Sequence, residues 1–149
     1  MNVLLICTGN ICRSPYAAAL IRHQAVHSNL TVEVQSAGTK ASSCHPMSLP
    51  MEIILQEQGV DPAHQSQGLT WDLMDWADLA LTMTRPQKIL LASQLPQFTA
   101  KLFTLKEYVG HTHEPDIDDP YGTDLGSYRQ CAAEIETACD RLLKKLQSL

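Results

Sequence analysis

Short unbroken apolar runs along the chain alternate with segments whose apolar residues recur every three or four positions. Val3-Leu4-Leu5-Ile6 is such a run and predicts a buried strand. Residues 15–27 follow with Ala17, Leu20, Ile21 and Ala25 on one helical face. Over residues 31–35, Val32 and Val34 alternate with polar neighbours, which predicts a second strand, closed by Ser36-Ala37-Gly38 as a turn. A polar stretch through Ser42, Ser43 and Pro46 leads to a helix over 49–58, stopped by Gly59. Thr70 is placed to cap a short helix carrying Trp71, Leu73, Met74 and Trp76. Residues 79–83 predict a third strand, Thr84 and Pro86 start a helix through Leu95, and 101–105 supply a fourth strand. Residues 111–126 form a loop rich in Asp, Pro and Gly. Residues 127–146 form a long amphipathic helix with Cys131, Ile135, Leu142, Leu143 and Leu146 facing inward.

Strands alternating with helices, without a repeat or a linker, predict an α/β fold in one domain over residues 1–149. Its expected form is a three-layer α/β/α arrangement around a four-stranded parallel sheet, flavodoxin- or Rossmann-like. Ligands in such sheets bind at the carboxyl ends of the strands. Cys7 stands at such an end, and the Asp-rich loop after the fourth strand should reach the same edge.

Composition narrows the classes. With 149 residues, 44% hydrophobic and 18% charged, the chain can bury a globular core. A net charge of −5 offers no basic stripe for nucleic acid. No apolar run approaches the roughly 18 residues of a membrane span, and no basic leader precedes the first strand, so neither a membrane anchor nor a signal peptide is expected. The five cysteines, Cys7, Cys12, Cys44, Cys131 and Cys139, are odd in number and contain no C-x-x-C pair. A reducing cytoplasm fits them better than a disulfide framework or a zinc ribbon. A monomer without nucleic-acid or membrane partners is expected.

The densest chemistry is Cys7-Thr8-Gly9-Asn10-Ile11-Cys12-Arg13-Ser14-Pro15. After the first strand the chain must turn, and Gly9 and Asn10 both tolerate positive φ. Ser14 is expected as N-cap and Pro15 as first helical residue. Loop amides and a helix N-terminus would then converge on one point, an environment that favours both an oxyanion and a thiolate. Arg13 adds a planar fork able to hold two phosphoryl oxygens. Read alone, Cys7 could be a buried structural cysteine and Arg13 a surface ion pair; their joint placement argues for a nucleophile and its oxyanion clamp.

The missing piece is a proton donor. His113-Glu114-Pro115-Asp116-Ile117-Asp118-Asp119-Pro120-Tyr121 offers several carboxyls, and mutual repulsion or burial under the Tyr121 ring would favour a protonated one. The same stretch also reads as a solvated loop. His111, His113 and these acids match no standard metal-site spacing, so no metal and no cofactor are expected.

These residues resemble the low-molecular-weight protein-tyrosine phosphatases, over essentially the whole chain. The resemblance rests on the Cys7–Pro15 segment, on Ser36-Ala37-Gly38 and on Asp119-Pro120-Tyr121. It implies Cys7 as the nucleophile forming a phosphocysteine, Arg13 and the backbone amides of a phosphate-binding loop of Thr8, Gly9, Asn10, Ile11, Cys12 and Ser14 as phosphoryl ligands, and Asp119 as general acid and later base. It implies that Asn10, Ser14, Ser36 and His64 hold the loop by hydrogen bonds, and that Cys12 can pair reversibly with Cys7 on oxidation. Tyr121 and Ile11 would wall the substrate pocket, with Gly122 where many eukaryotic members carry a second aromatic.

Segments around residues 79–84 and 103–108 resemble a bacterial subgroup that includes phosphoarginine phosphatases. In those the position of Ile11 is threonine. A branched apolar side chain suits an aromatic ring rather than a guanidinium, so Ile11 favours phosphotyrosine, while the overall similarity favours phosphoarginine. Arsenate reduction on the same fold would need two relay cysteines after the third strand, and residues 82–91 hold none. A phospho-binding module without catalysis is disfavoured by the presence of both Cys7 and Asp119. The substrate expected is a phosphorylated protein.

Overall fold

In the computed structural model, which describes residues 1–111 and 113–149, strand β1 (Asn2–Cys7) is buried from Val3 to Cys7. Val3, Leu4, Leu5 and Ile6 have no solvent exposure. A run with no polar alternation makes sense only if both faces of the strand are covered. Val3 and Leu5 face a core with helix α1 (Arg13–His27) and helix α6 (Leu125–Gln147). Leu4 and Ile6 face a second core with Met74 of α3 (Trp71–Trp76) and Leu91 of α4 (Arg85–Gln94). Helix α2 (Leu49–Glu57) and the short α5 (Leu105–Tyr108) join the first side through Met51, Ile54, Leu55 and Leu105.

The sheet order is β2-β1-β3-β4, with β2 at Glu33–Gly38, β3 at Leu79–Thr82 and β4 at Leu102–Thr104. All pairs are parallel. This is the expected three-layer α/β/α architecture. Its strand order reverses between β1 and β3, and the crevice at such a reversal is where open α/β sheets bind ligands. Among the described residues no helix is long and apolar enough to cross a membrane.

Several boundaries differ from the sequence expectation. Ser36, Ala37 and Gly38 do not turn; they stay in β2, opposite Leu5, Ile6 and Cys7. The ladder starts where Glu33 N–H reaches Met1 O, at 2.9 Å, which leaves residues 31 and 32 outside. Helix α1 starts at Arg13 with Cys12 as N-cap, so Ser14 and Pro15 lie inside its first turn. Helix α6 starts at Leu125, because the Asp124 side chain accepts the Ser127 N–H at 2.8 Å. A 3₁₀ turn (Pro96–Lys101) and α5, capped by Thr104, shorten the fourth strand at both ends. The expected 111–126 loop includes Thr112, which lies outside the described residues.

Gly38 ties the sheet edge to the loop after β1. A Cβ built there would lie 2.4 Å from Thr8 O and 2.8 Å from the Ala41 side chain. The backbones pass this closely because Thr39 N–H donates to Cys7 O at 2.9 Å and Lys40 N–H to Thr8 O at 3.0 Å.

Candidate active site

The backbone reverses after β1 at Asn10, whose φ of 56° is left-handed. Gly9 is not among the positive-φ residues, so Asn10 alone makes the turn. Asparagine tolerates this region because its short side chain can bond locally. Here the side chain does more. Its Oδ1 accepts the Gln67 backbone N–H at 3.0 Å, which fixes Nδ2 as the donor end. Nδ2 donates to Ser14 Oγ and to Ser36 Oγ, both at 2.9 Å. The Asn10 carbonyl receives His64 Nε2 at 2.7 Å. Burial holds the His64 ring below its ordinary pKa, partly offset by that carbonyl, and Arg22 adds to the lowering. The neutral ring therefore carries its proton on Nε2.

Ser14 is not a helix cap because its hydroxyl is engaged elsewhere. It lies 2.9 Å from Cys7 Sγ while accepting from Asn10, an arrangement that leaves its own proton for the sulfur. Asn10 N–H also points at Cys7 Sγ, at 3.3 Å. Helix α1 begins just beyond with no side-chain cap, so its first amides remain available to an anion.

Arg13 is 4% exposed. Its Nη1 donates to Ile117 O at 2.8 Å, and its Nη2 stands 3.7 Å from Asp119 Oδ2. Its Nε is buried and has no hydrogen-bond partner among the described residues. A buried guanidinium N–H left unpaired costs stability unless a ligand takes it.

Asp119 enters from the loop before α6. Expected burial beneath Tyr121 is not found: the Asp119 side chain is 51% exposed and Tyr121 67%. Buried Pro120 anchors the loop, and its carbonyl accepts Thr123 N–H at 3.0 Å, a turn that leaves both neighbours projecting outward. Tyr121 N–H donates to Asp119 Oδ1 at 3.1 Å. Cys7, Thr8, Gly9, Asn10, Ile11, Cys12, Arg13, Asp119 and Tyr121 line one cavity of about 200 Å³. Ser14, Ser36 and His64 stand behind it.

Cys12 faces away from solvent, with its sulfur 3.8 Å from Tyr128 Oη. Burial pushes its thiol up, against the hydrogen bonds of Ser48 and Tyr128. Burial likewise raises Cys131 to about 12 and pushes Cys139 up. Among the described residues no cluster of three or more His, Cys, Asp or Glu is arranged to hold a metal ion.

Two supporting residues have no place in the sequence reading. Gln67 holds Asn10 by its backbone and Ser36 O by its side chain, at 3.0 Å. Gln87 is buried; its Oε1 accepts Met83 and Thr84 N–H at 3.0 Å each, and its Nε2 donates to Thr8 Oγ1 at 3.0 Å. Thr84-Arg85-Pro86-Gln87 carries a capping-box signature that could have marked it. Nothing local marks Gln67.

A model of the low molecular weight phosphotyrosine protein phosphatase family matches residues 2–149. The chain belongs to this family. A protein-arginine-phosphatase of Geobacillus stearothermophilus is 40% identical over 147 residues, 99% of this chain and 97% of that protein. A probable low molecular weight protein-tyrosine-phosphatase, EpsP, of Ralstonia solanacearum is 35% identical over 149 residues, 99% of this chain and 97% of its own. Among solved structures, a YwlE arginine phosphatase mutant with a phosphorylated active-site serine superposes with a TM-score of 0.95 at 39% identity, covering 99% of this chain and 96% of that one. This phosphatase is thus similar over its length to relatives named for two different substrates.

Proposed function

We propose that this family member is a cysteine-dependent protein-tyrosine phosphatase working as a single domain over residues 1–149, a monomer in the cytoplasm. The observation that carries the reading is the shared cavity, where Cys7 Sγ, a buried Arg13 with an unpaired Nε, and Asp119 meet. In the first step Cys7 thiolate attacks phosphorus, the bond to the tyrosyl oxygen breaks, and Asp119 gives that oxygen its proton. Arg13 and the loop amides hold the equatorial oxygens as their charge grows. In the second step water attacks the phosphocysteine, Asp119 takes the water proton, and the P–S bond breaks to release inorganic phosphate. Neither step calls for a metal or a cofactor, and Cys12 would be the partner that pairs with Cys7 on oxidation. Asn10, Ser14, Ser36 and His64 act by fixing the loop, so the amides are aimed before substrate arrives.

Ile11 and Tyr121 supply apolar walls to the cavity, which suits an aryl leaving group. The similarity to arginine phosphatases favours phosphoarginine as the second reading. Comparing kcat/KM for a phosphotyrosine peptide and a phosphoarginine peptide decides between them. Preference for phosphoarginine by the unaltered protein overturns the tyrosine reading. Loss of both activities in Cys7→Ser, with the fold intact and EDTA harmless to the unaltered protein, is required by either.

A further inference from the structure

The first turn of α4 touches both halves of the site. On one side Gln87 holds Thr8, the residue after Cys7. On the other, the N–H of Arg85, the first residue of α4, donates to Asp116 Oδ1 at 2.6 Å. The next residue, Ile117, is fully buried and doubly bonded through its backbone: its N–H donates to Met83 O at 2.9 Å, and its carbonyl receives Arg13 Nη1 at 2.8 Å. Asp119 follows two residues later, 3.7 Å from the same guanidinium. Lys106 Nζ of α5 donates to the Asp116 carbonyl at 3.5 Å, and from α6 Cys131 Sγ reaches the Asp118 carbonyl at 3.7 Å.

We infer that Asp116 is a positioning residue: by accepting the Arg85 N–H it pins the loop to α4 and sets where Asp119 meets the leaving group. The inference rests on the phosphatase reading, since placement of Asp119 matters only if Asp119 transfers the proton. An oxygen bonded to the free amide of a helix N-terminus is well placed to act as an anchor. Asp116 is half-buried and its Oδ1 is committed, whereas the Asp119 side chain opens onto the cavity. Small displacements of a catalytic group are expensive; a shift of about 1 Å can lower a rate roughly 100-fold.

The test compares kcat/KM for phenyl phosphate, whose leaving group needs a proton, with that for 4-nitrophenyl phosphate, whose leaving group does not. Asp119→Asn should depress the phenyl substrate far more than the nitrophenyl one. Asp116→Ala should shift the ratio in the same direction, by roughly 10- to 100-fold on the phenyl substrate. Asp116→Asn keeps the acceptor oxygen and should restore the ratio. Competitive inhibition by inorganic phosphate should stay unchanged throughout. A second variant reaches the same bond from the other side: Arg85→Pro removes the N–H at a first-turn position that tolerates proline, and should copy Asp116→Ala. Arg85→Ala keeps the N–H and should behave as the unaltered protein. An unchanged ratio in both Asp116→Ala and Arg85→Pro overturns the inference, as does a uniform loss on both substrates together with weakened phosphate binding. Failure of Asp116→Asn to rescue, with Asp119→Asn inert, would make Asp116 the acid. That result sinks the assignment of Asp119 and the positioning role with it.

Discussion

Asn10 donates to Ser14 Oγ at 2.9 Å, and that same oxygen lies 2.9 Å from Cys7 Sγ, so a loop residue with φ of 56° orients the hydroxyl facing the sulfur. The two roles of Asn10 can be separated. Asn10→Gly keeps the backbone freedom and loses the side-chain bonds; Asn10→Ala loses both. Three lost hydrogen bonds at about 0.5–1.5 kcal/mol each predict roughly 2–4 kcal/mol of destabilisation for Asn10→Gly. Asn10→Ala should lose a further 1 kcal/mol or so from the left-handed strain. Urea unfolding of the two variants checks this, and equal stabilities would refute the strain.

Gly38→Ala places a methyl group 2.4 Å from Thr8 O, a backbone atom that cannot swing aside. The loop must move, so kcat/KM should fall at least about tenfold, equivalent to 1.4 kcal/mol in the barrier. Inorganic phosphate should bind more weakly too. An alanine variant with unaltered phosphate affinity would show that the loop absorbs the methyl.

His64 makes stability depend on pH. Its folded pKa is lowered from 6.5 by burial, so the unfolded chain binds the proton more readily. The contribution is complete above about pH 6.5 and drains away as pH falls toward the lower folded value. His64→Gln retains an N–H donor for Asn10 O without a titrating ring. Its stability should therefore fall less than that of the unaltered protein between about pH 7 and pH 5, measured by denaturant midpoints.

Ile11→Thr replaces an apolar wall of the cavity by a shorter side chain with a hydroxyl. The ratio of kcat/KM for phosphoarginine to that for phosphotyrosine peptides should rise by about 10-fold or more, within the roughly 1–3 kcal/mol that one pocket group controls. A ratio that stays put removes Ile11 from substrate choice.

The residues of the cavity were legible because chemistry and position coincide in them. A cysteine at a strand end, an arginine at a helix start and an Asp-Pro pair after the last strand can each be read from one short segment. The sheet and most helices were legible for a similar reason, since Val3–Ile6 and Leu79–Leu81 are apolar runs bounded by polar turns. Ser14 misled because its residue type is that of a cap, while its hydroxyl was drawn to a sulfur seven residues earlier. Ser36-Ala37-Gly38 has turn composition but lies in a strand, since partners on β1 extend the ladder to Cys7. The exposure of Asp119 follows from the turn at Pro120–Thr123, a relation no periodicity carries. Gln67 stayed hidden because its bond to Asn10 comes from a backbone amide, which any residue but proline could supply.

The inner position of β1 has a consequence for how the molecule assembles. The earliest residues of the chain pair with β2 and β3, and β3 ends at Thr82. Arg13 then finds its carbonyl partner only at Ile117. Contacts so distant in sequence form slowly and late, because the intervening chain must be ordered first. A nascent chain that has emerged as far as α4 therefore carries Cys7 without the carbonyl that steadies Arg13 or the carboxyl opposite it. The cavity is closed only once the chain through Asp119 and Tyr121 is in place.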